Sequence, residues 1–390
     1  RETLDYLDRE MSAPGGGIFA ATDADNAGPD GEHGEGLYFT WTPAEVNAAL
    51  GPEDAAVVMA TYGVEASGAL DGRSILRRAA TAAQVAAGRD TTVAAVEAAL
   101  ARARPKLLAA RAKRTPPATD DAVLTAWNGL AISAFARAGL ALNEPRLTAR
   151  AVRAADFLLR VARGADGRLR RLSHGDRADG VGFLDDYAFL AQGLLDLFEA
   201  TGERRFADAA AALQKVLDAD FADPAGGWFS TGAEHETLLF RHKPIGEGAV
   251  PSGNAVAAMN LLRLAELGDA TAEARALEVF AALSSTLTNN PTGAPALLSA
   301  LDFALDSARQ VVIVGPKPEA LLDVVRHTFL PNRALVVVAA PGEHPLAADK
   351  VAIDGAATAY VCERGRCDRP TRDPAELARQ LAKVVPIDGP

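Results

Sequence analysis

Two neighbouring carboxylates at the head of a helical stretch, Asp185 and Asp186 followed by Tyr187, are the residues best suited to acid–base chemistry. Adjacent carboxylates at a pocket mouth raise one another's proton affinity, which suits a general acid acting on a glycosidic oxygen. The other reading is a helix N-cap, in which an Asp accepts backbone N–H bonds; two Asp allow one of each. Asp120-Asp121 repeats the pair one hairpin earlier, where capping is the stronger reading. Glu247 is the third candidate catalytic carboxylate. Trp41, Trp127, Tyr187 and Trp228 stand beside loops or at helix starts. Aromatic faces there suit stacking on sugar rings, and ordinary core packing is the alternative. Asn128, Asn254 and Gln192 occupy related places in three Ala/Leu-rich helices. A buried amide at such a place either binds ligand hydroxyls or ties neighbouring loops. His242 is the histidine nearest these motifs.

The elements that must position these residues repeat. Thr125-Ala126-Trp127-Asn128-Gly129, Phe183-Leu184-Asp185-Asp186-Tyr187 and Pro251-Ser252-Gly253-Asn254 each open a long helix. Each helix runs to a small-residue stop, at Gly139, Gly202 and Gly268, with a period of about 60–70 residues. Helix Val123–Leu142 is expected to pair with Pro145–Ala162, Asp185–Ala200 with Arg204–Ala219, and Asn254–Leu267 with Ala272–Thr288. Such pairs build either an open superhelix or a closed toroid of inner and outer helices. Strand-like excursions between the pairs, at Arg168–Ser173, Trp228–Ser230 and Leu238–Phe240, favour the toroid, whose loops cover one mouth. Six such hairpins make a full ring, so the expected fold is mainly α, an incomplete (α/α)6 toroid whose remaining helices lie upstream of Arg1. Unpaired flanks are then expected near Leu4, Leu7 and Tyr62, with self-association as the outcome.

Ahead of the hairpins, Leu37–Trp41 reads as a β-branched and aromatic strand, and Thr42-Pro43-Ala44-Glu45 as a capped helix start. Helices follow over Glu53–Tyr62 and Thr92–Lys113. Asp23, Asp25 and Glu35 lie in a polar loop, Asp23–Gly36, whose spacing fails the EF-hand template, so no metal is expected. Beyond helix Pro295–Ala308 the character changes. Val311–Gly315, helix Pro318–Phe329 and Leu335–Ala339 form a βαβ unit with parallel strands; Thr358–Cys362 adds a third strand and Pro374–Val384 a closing helix. The expected domains are 1–308, the partial toroid, and 309–390, a small α/β unit.

The net charge of −11 argues against nucleic-acid or anionic-membrane partners. No apolar run reaches the ~18 residues a span requires. Two cysteines, Cys362 and Cys367, exclude a disulfide scaffold and point to the cytoplasm; their spacing is wrong for a redox pair, and paired thiols at a turn are expected. No cofactor is expected.

Taken together, Asp23–Asn26, Glu35–Trp41, Leu124–Leu130, Phe183–Ala188, Pro251–Asn254 and the tail Tyr360–Pro370 resemble the thioredoxin-domain-containing proteins of the spermatogenesis-associated protein 20 type. The resemblance runs from about residue 4 to 370. It implies an (α/α) toroid similar to six-hairpin glycosidases and sugar 2-epimerases, preceded by a thioredoxin-like domain that this chain does not contain. Such epimerases use a histidine pair as acid and base; here His33, His174, His235 and His242 all sit in loops. The expected function is sugar or glycoside binding with hydrolase or isomerase chemistry at Asp185, Asp186 and Glu247, and a substrate surface of Trp41, Trp127, Asn128, Tyr187, Trp228, His242 and Asn254. The alternative is a noncatalytic platform serving the thioredoxin-like domain.

Overall fold

A computed structural model describes residues 1–28, 31, 33–306 and 308–383. Pro29, Asp30 and Glu32 of the expected polar loop, Ser307 of the expected helix Pro295–Ala308, and residues 384–390 of the expected C-terminal unit, Val384 of its closing helix included, lie outside the described residues. The chain forms two compact units, Arg1–Ala20 with Asp121–Pro390, and Ala21–Asp120. The expected boundary near residue 309 falls inside the first. Among the described residues no helix is long and apolar enough to cross a membrane.

Helix α1 (Glu2–Glu10) opens the first unit. The chain then builds the second unit, which starts and finishes at one place: β1 (Ala21–Thr22) pairs with its last strand, Thr119–Asp120. Between them come the hairpin β2 (Asp25–Ala27) and β3 (His33–Glu35) and helices α2 (Pro43–Leu50), α3 (Pro52–Tyr62), α4 (Ala82–Gly88) and α5 (Val93–Arg111); the closing strand is β4. The expected capping box starts α2: Thr42 Oγ1 accepts from the Glu45 N–H, and Glu45 Oε2 accepts from the Thr42 N–H. Leu37–Trp41 does not form the expected strand. The N–H groups of Phe39 and Thr40 both donate to the Gly36 carbonyl, closing a turn, and Asn26 Oδ1 accepts from the Tyr38 N–H. The aromatic run instead feeds this unit's own core, where Trp41 is buried under the Arg114 guanidinium, 4.1 Å from its ring centre.

The first unit resumes with β5 (Val123–Leu124) and the hairpin array. Helices α6 (Thr125–Leu142) and α7 (Pro145–Val161) form the first hairpin. After strands β6 (Arg170–His174) and β7 (Arg177–Val181) come α8 (Leu184–Thr201) and α9 (Arg204–Asp220), then α10 (Gly253–Glu266) and α11 (Ala272–Ala282). The expected helix Ala272–Thr288 breaks at Leu283, leaving α12 (Ser284–Asn289), and α13 (Pro295–Leu305) follows. Neighbours in space are α6 with α8, α8 with α10 and α10 with α13, an inner row; α7, α9 and α11 back it from outside. Burial agrees. Helix α8 buries residues all round, among them Tyr187, Phe189, Leu190, Leu194 and Phe198, as an inner stave must. Outer α7 buries one stripe, Leu147, Ala151, Ala154 and Leu158. The fold is therefore a mainly helical, incomplete (α/α) toroid carrying a small α/β unit. Leu4 is buried in the main core with Leu7 packed against it, and Tyr62 packs within the second unit, so these residues mark no open flank.

The inner row is drawn tight by glycine. A Cβ on Gly129 would stand 2.5 Å from the Leu190 amide nitrogen, and one on Gly193 2.5 Å from the Gly129 carbonyl oxygen, so α6 and α8 meet backbone to backbone.

The C-terminal sheet has four strands in the order β11-β10-β8-β9, with β8 (Arg309–Val314) and β9 (Arg333–Val338) parallel as expected, joined by α14 (Glu319–His327). β10 (Thr358–Glu363) runs antiparallel to β8; β11 (Arg366–Cys367) is the strand beyond the expected three, and α15 (Pro374–Leu381) closes the unit. Cys362 and Cys367 face one another across the β10–β11 pair, Cα atoms 3.9 Å apart, and are joined as a disulfide rather than left as thiols.

Candidate functional site

A bridged turn with its ends six residues apart recurs after α1, α7 and α9. Ser12 bridges to Ile18, Arg163 to Leu169 and Ala222 to Trp228. Within each, a glycine with positive φ (Gly16, Gly167, Gly226) donates its N–H three residues back, to Ala13, Gly164 and Asp223. Only glycine adopts that conformation without strain. The bridged residue is then held by a side chain from the first turn of an inner helix. Asn128 of α6 accepts from the Ile18 N–H (2.7 Å) and donates to the Ile18 carbonyl (2.9 Å). Asn254 of α10 does the same to Trp228, at 2.8 and 2.9 Å. In α8 the equivalent group is Tyr187, whose hydroxyl accepts from the Leu169 N–H (2.8 Å) and whose pKa is pushed up to about 12, first by burial. Of the two roles open to these amides, the loop tie is the geometry observed. Gln192 is not the third member; it lies more than a turn further along α8. Replacing Asn254 by Ala leaves the buried Trp228 amide and carbonyl without their partner, and we expect a loss of about 2–3 kcal/mol in urea unfolding.

The carboxylates also serve helix ends. Asp186 is fully buried; Oδ1 accepts from the Ala126 N–H of α6 (2.9 Å) and Oδ2 from the Phe183 N–H ahead of α8 (2.8 Å), with Arg171 at 3.1 Å. Burial pushes its pKa up to about 6 against the pull of Arg171 and both amides. Glu247 takes the N–H groups of Ala296 and Leu297, one on each oxygen, at the start of α13. Asp185 differs. It is half-buried, no hydrogen bond to its carboxylate is found among the described residues, and burial raises its pKa, with Arg171 opposing. It lies against Gly253, where a side chain would meet both Asp185 Oδ1 and Leu184.

The inner-helix starts thus share one mouth. Asp186 joins α8 to the residue before Trp127, Asp185 touches α10, and Glu247 reaches α13. Trp127 is 48% exposed there, whereas Trp228 and Tyr187 are buried. His242 is exposed, its carbonyl accepting from the Ser230 N–H. Trp41 belongs to the other unit.

A cavity of about 780 Å³ lies on the inner row itself and is lined by α6, α8, α10, α13, α14 and β9. Its polar wall comes from residues the sequence reading passed over. Arg263 spans Asp196 (2.9 Å) and Glu199 (3.1 Å); Arg333 stands 3.5 Å from Glu199. Asn332 donates to Asp302 (2.9 Å). Arg137, Arg326 and Gln192 complete it, against Leu140, Val256, Met259 and Phe303. At its upper edge are Ala255, two positions past Gly253, and Ala296, which Glu247 caps. In sequence these charges look like ordinary solvated helix faces. For Arg137, Gln192, Asp196, Glu199, Arg263 and Asp302 the signal is that they fall on the inner helices α6, α8, α10 and α13.

No protein-family model matches the chain. It is 33% identical to spermatogenesis-associated protein 20 of Homo sapiens and, equally, of Mus musculus, over 97% of its own length and 53% of theirs. An uncharacterized protein of Caenorhabditis elegans is 30% identical over 96% of the chain and 56% of its own. The chain spans about half the length of the curated relatives it matches. A solved cellobiose 2-epimerase of Bacillus thermoamylovorans superposes on 43% of this chain and 45% of that one, with 13% identity and a TM-score of 0.36.

Proposed function

We propose that the inner row binds a sugar or a similar polyol and that Asp185 serves acid–base chemistry, hydrolytic or isomerising, at the mouth. The observation that carries this reading is the cavity: about 780 Å³, with carboxylates, guanidiniums and amides set among aliphatic side chains. That mixture suits a ligand whose hydroxyls both donate and accept while its C–H faces pack on apolar wall. Asp185 is the carboxyl at the mouth without a backbone amide to serve, and burial raises its proton affinity, the direction that favours a proton donor. Asp186 behind it and Glu247 fix the helix ends that frame the mouth, and Trp127 supplies an exposed ring for stacking. The cytoplasm is part of this proposal, as is the absence of a nucleic-acid partner, given the acidic charge.

The second reading is a noncatalytic platform partnering a thioredoxin-like domain of the longer protein. It is favoured by the engagement of every oxygen of Asp186 and Glu247 with backbone amides or Arg171, which leaves neither carboxylate open to a substrate.

The test is a screen of neutral mono- and disaccharides on the natural full-length protein by calorimetry, with turnover followed by NMR. Saturable binding that Asp302→Asn weakens about tenfold or more, together with turnover that Asp185→Asn abolishes while binding persists, is the expected result. Binding without turnover in the unaltered protein selects the platform reading. Absence of any carbohydrate binding, of neutral sugars and of the anionic ones below, removes the sugar assignment.

A further inference from the structure

The cations of the cavity wall do not balance pair by pair. Arg263 is matched by Asp196 and Glu199, and Arg333 faces Glu199. Arg137 and Arg326 have no acidic or hydrogen-bonded partner among the described residues; the Arg326 Nε is also cut off from solvent. The remaining wall carboxylate, Asp302, is engaged by Asn332. The two free guanidiniums come from elements in contact: Arg137 sits one turn before Leu140 on α6, and Leu140 packs with Val325, the residue before Arg326 on α14. A guanidinium turned into a walled cavity keeps its fork of donors for an anion, and a phosphate or carboxylate matches that fork two bonds at a time. Across the cavity, Gln192 on α8 holds its amide oxygen buried with nothing bonded to it, an acceptor for a hydroxyl proton.

Resting on the sugar reading above, we infer that the ligand is an anionic carbohydrate, a sugar phosphate or a sugar acid, with its charged group between Arg137 and Arg326 and a hydroxyl on Gln192. The anion completes the charge pattern of the wall, and the ring lies over the inner helices. Neutral sugars lack the group that the free cations are placed to meet.

Calorimetric titration of the full-length protein with glucose, glucose 6-phosphate, glucuronate and inorganic phosphate tests this. One or both charged sugars should bind at least about tenfold more tightly than glucose, since a charge-assisted hydrogen bond contributes that much or more. Arg137→Gln and Arg326→Gln should each erase most of that advantage of the charged sugars over glucose. Arg137 is exposed and Arg326 half-buried, and circular dichroism with thermal melting verifies that the variants fold. Should one variant fail to fold, the other with Gln192→Leu carries the test. Equal binding of glucose and the charged sugars, or indifference to both arginine substitutions, overturns the inference and leaves the sugar reading standing. Inorganic phosphate binding as tightly as glucose 6-phosphate overturns it too, by showing an anion site that ignores the sugar. Failure of all four ligands removes both.

Discussion

Asp186→Ala is expected to lower the unfolding free energy of the helical unit by about 3–4 kcal/mol at neutral pH, among the largest single-site losses available in the chain. The substitution strips partners from two buried amides at once, Ala126 N–H in α6 and Phe183 N–H ahead of α8, and leaves Arg171 facing a void. Urea unfolding by circular dichroism measures it; a loss under about 1 kcal/mol would mean that water or Arg171 replaces the carboxylate at little cost. The pH dependence has a definite sign. The folded pKa of about 6 lies above the model value of 3.8, so the native state holds the proton more tightly than the unfolded chain. The proton-linked part of its contribution is complete below the unfolded pKa and is lost as pH rises through about 6, a span of about 3 kcal/mol, while the hydrogen bonds to Ala126 and Phe183 remain. Asp186→Asn, which cannot titrate, should flatten stability between those two values. A variant with an unchanged profile would place the titration elsewhere.

Gly129→Ala is the second large effect, expected at about 3 kcal/mol or more, with failure to fold as the extreme. The added methyl meets the α8 backbone at Leu190, and Gly193 of α8 returns the contact against the Gly129 carbonyl, so no side chain can rotate away. Relief requires the two helices to part, which unseats the Asp186 tie and widens the cavity they line. Gly246→Ala is the matched control: that glycine has open space around it and no positive φ, and a change within about 0.5 kcal/mol is expected. Thermal melts of the pair separate the close approach from the generic effect of adding a methyl.

The hairpin array was legible because its signals are periodic. Helix pairs, caps and the parallel βα unit each follow from local chemistry that tertiary context did not override, Thr42 with Glu45 being the clearest case. Leu37–Trp41 was misread because aromatic content speaks for burial, and here burial is served by a turn under Arg114. The second unit left no trace in composition, since both its junctions are short extended segments like those between hairpins. The mouth residues were found by their positions, but sequence could not apportion them between chemistry and helix ends. Asp186 and Asp185 are adjacent, and only the path of the neighbouring helices decides which one meets amides. The cavity wall was out of reach for a different reason. Arg263 meets Asp196 and Glu199 from another hairpin, a pairing between residues about 65 apart that no local pattern encodes.

The placement of the second unit sets a timetable for synthesis. Ala20 and Ala122 are hydrogen-bonded neighbours in the finished protein, 2.8 Å apart, yet the ribosome makes the whole of Ala21–Asp120 between them. Helix α1 emerges early, but the helix that receives it, α7, with Arg146 on Asp5 and Arg150 on Asp8, comes only afterwards. At about 5–20 residues per second, the intervening hundred or so residues impose a wait of roughly 5–20 s. During that wait Leu4 and Met11, buried in the final core, lack the core partners that come later in the chain. The second unit has a core and matched ends of its own, so it can fold in the interval and carry Ala20 to the place where Ala122 will arrive. A nascent chain in which that unit folds slowly leaves α1 available to chaperones and to other chains for correspondingly longer.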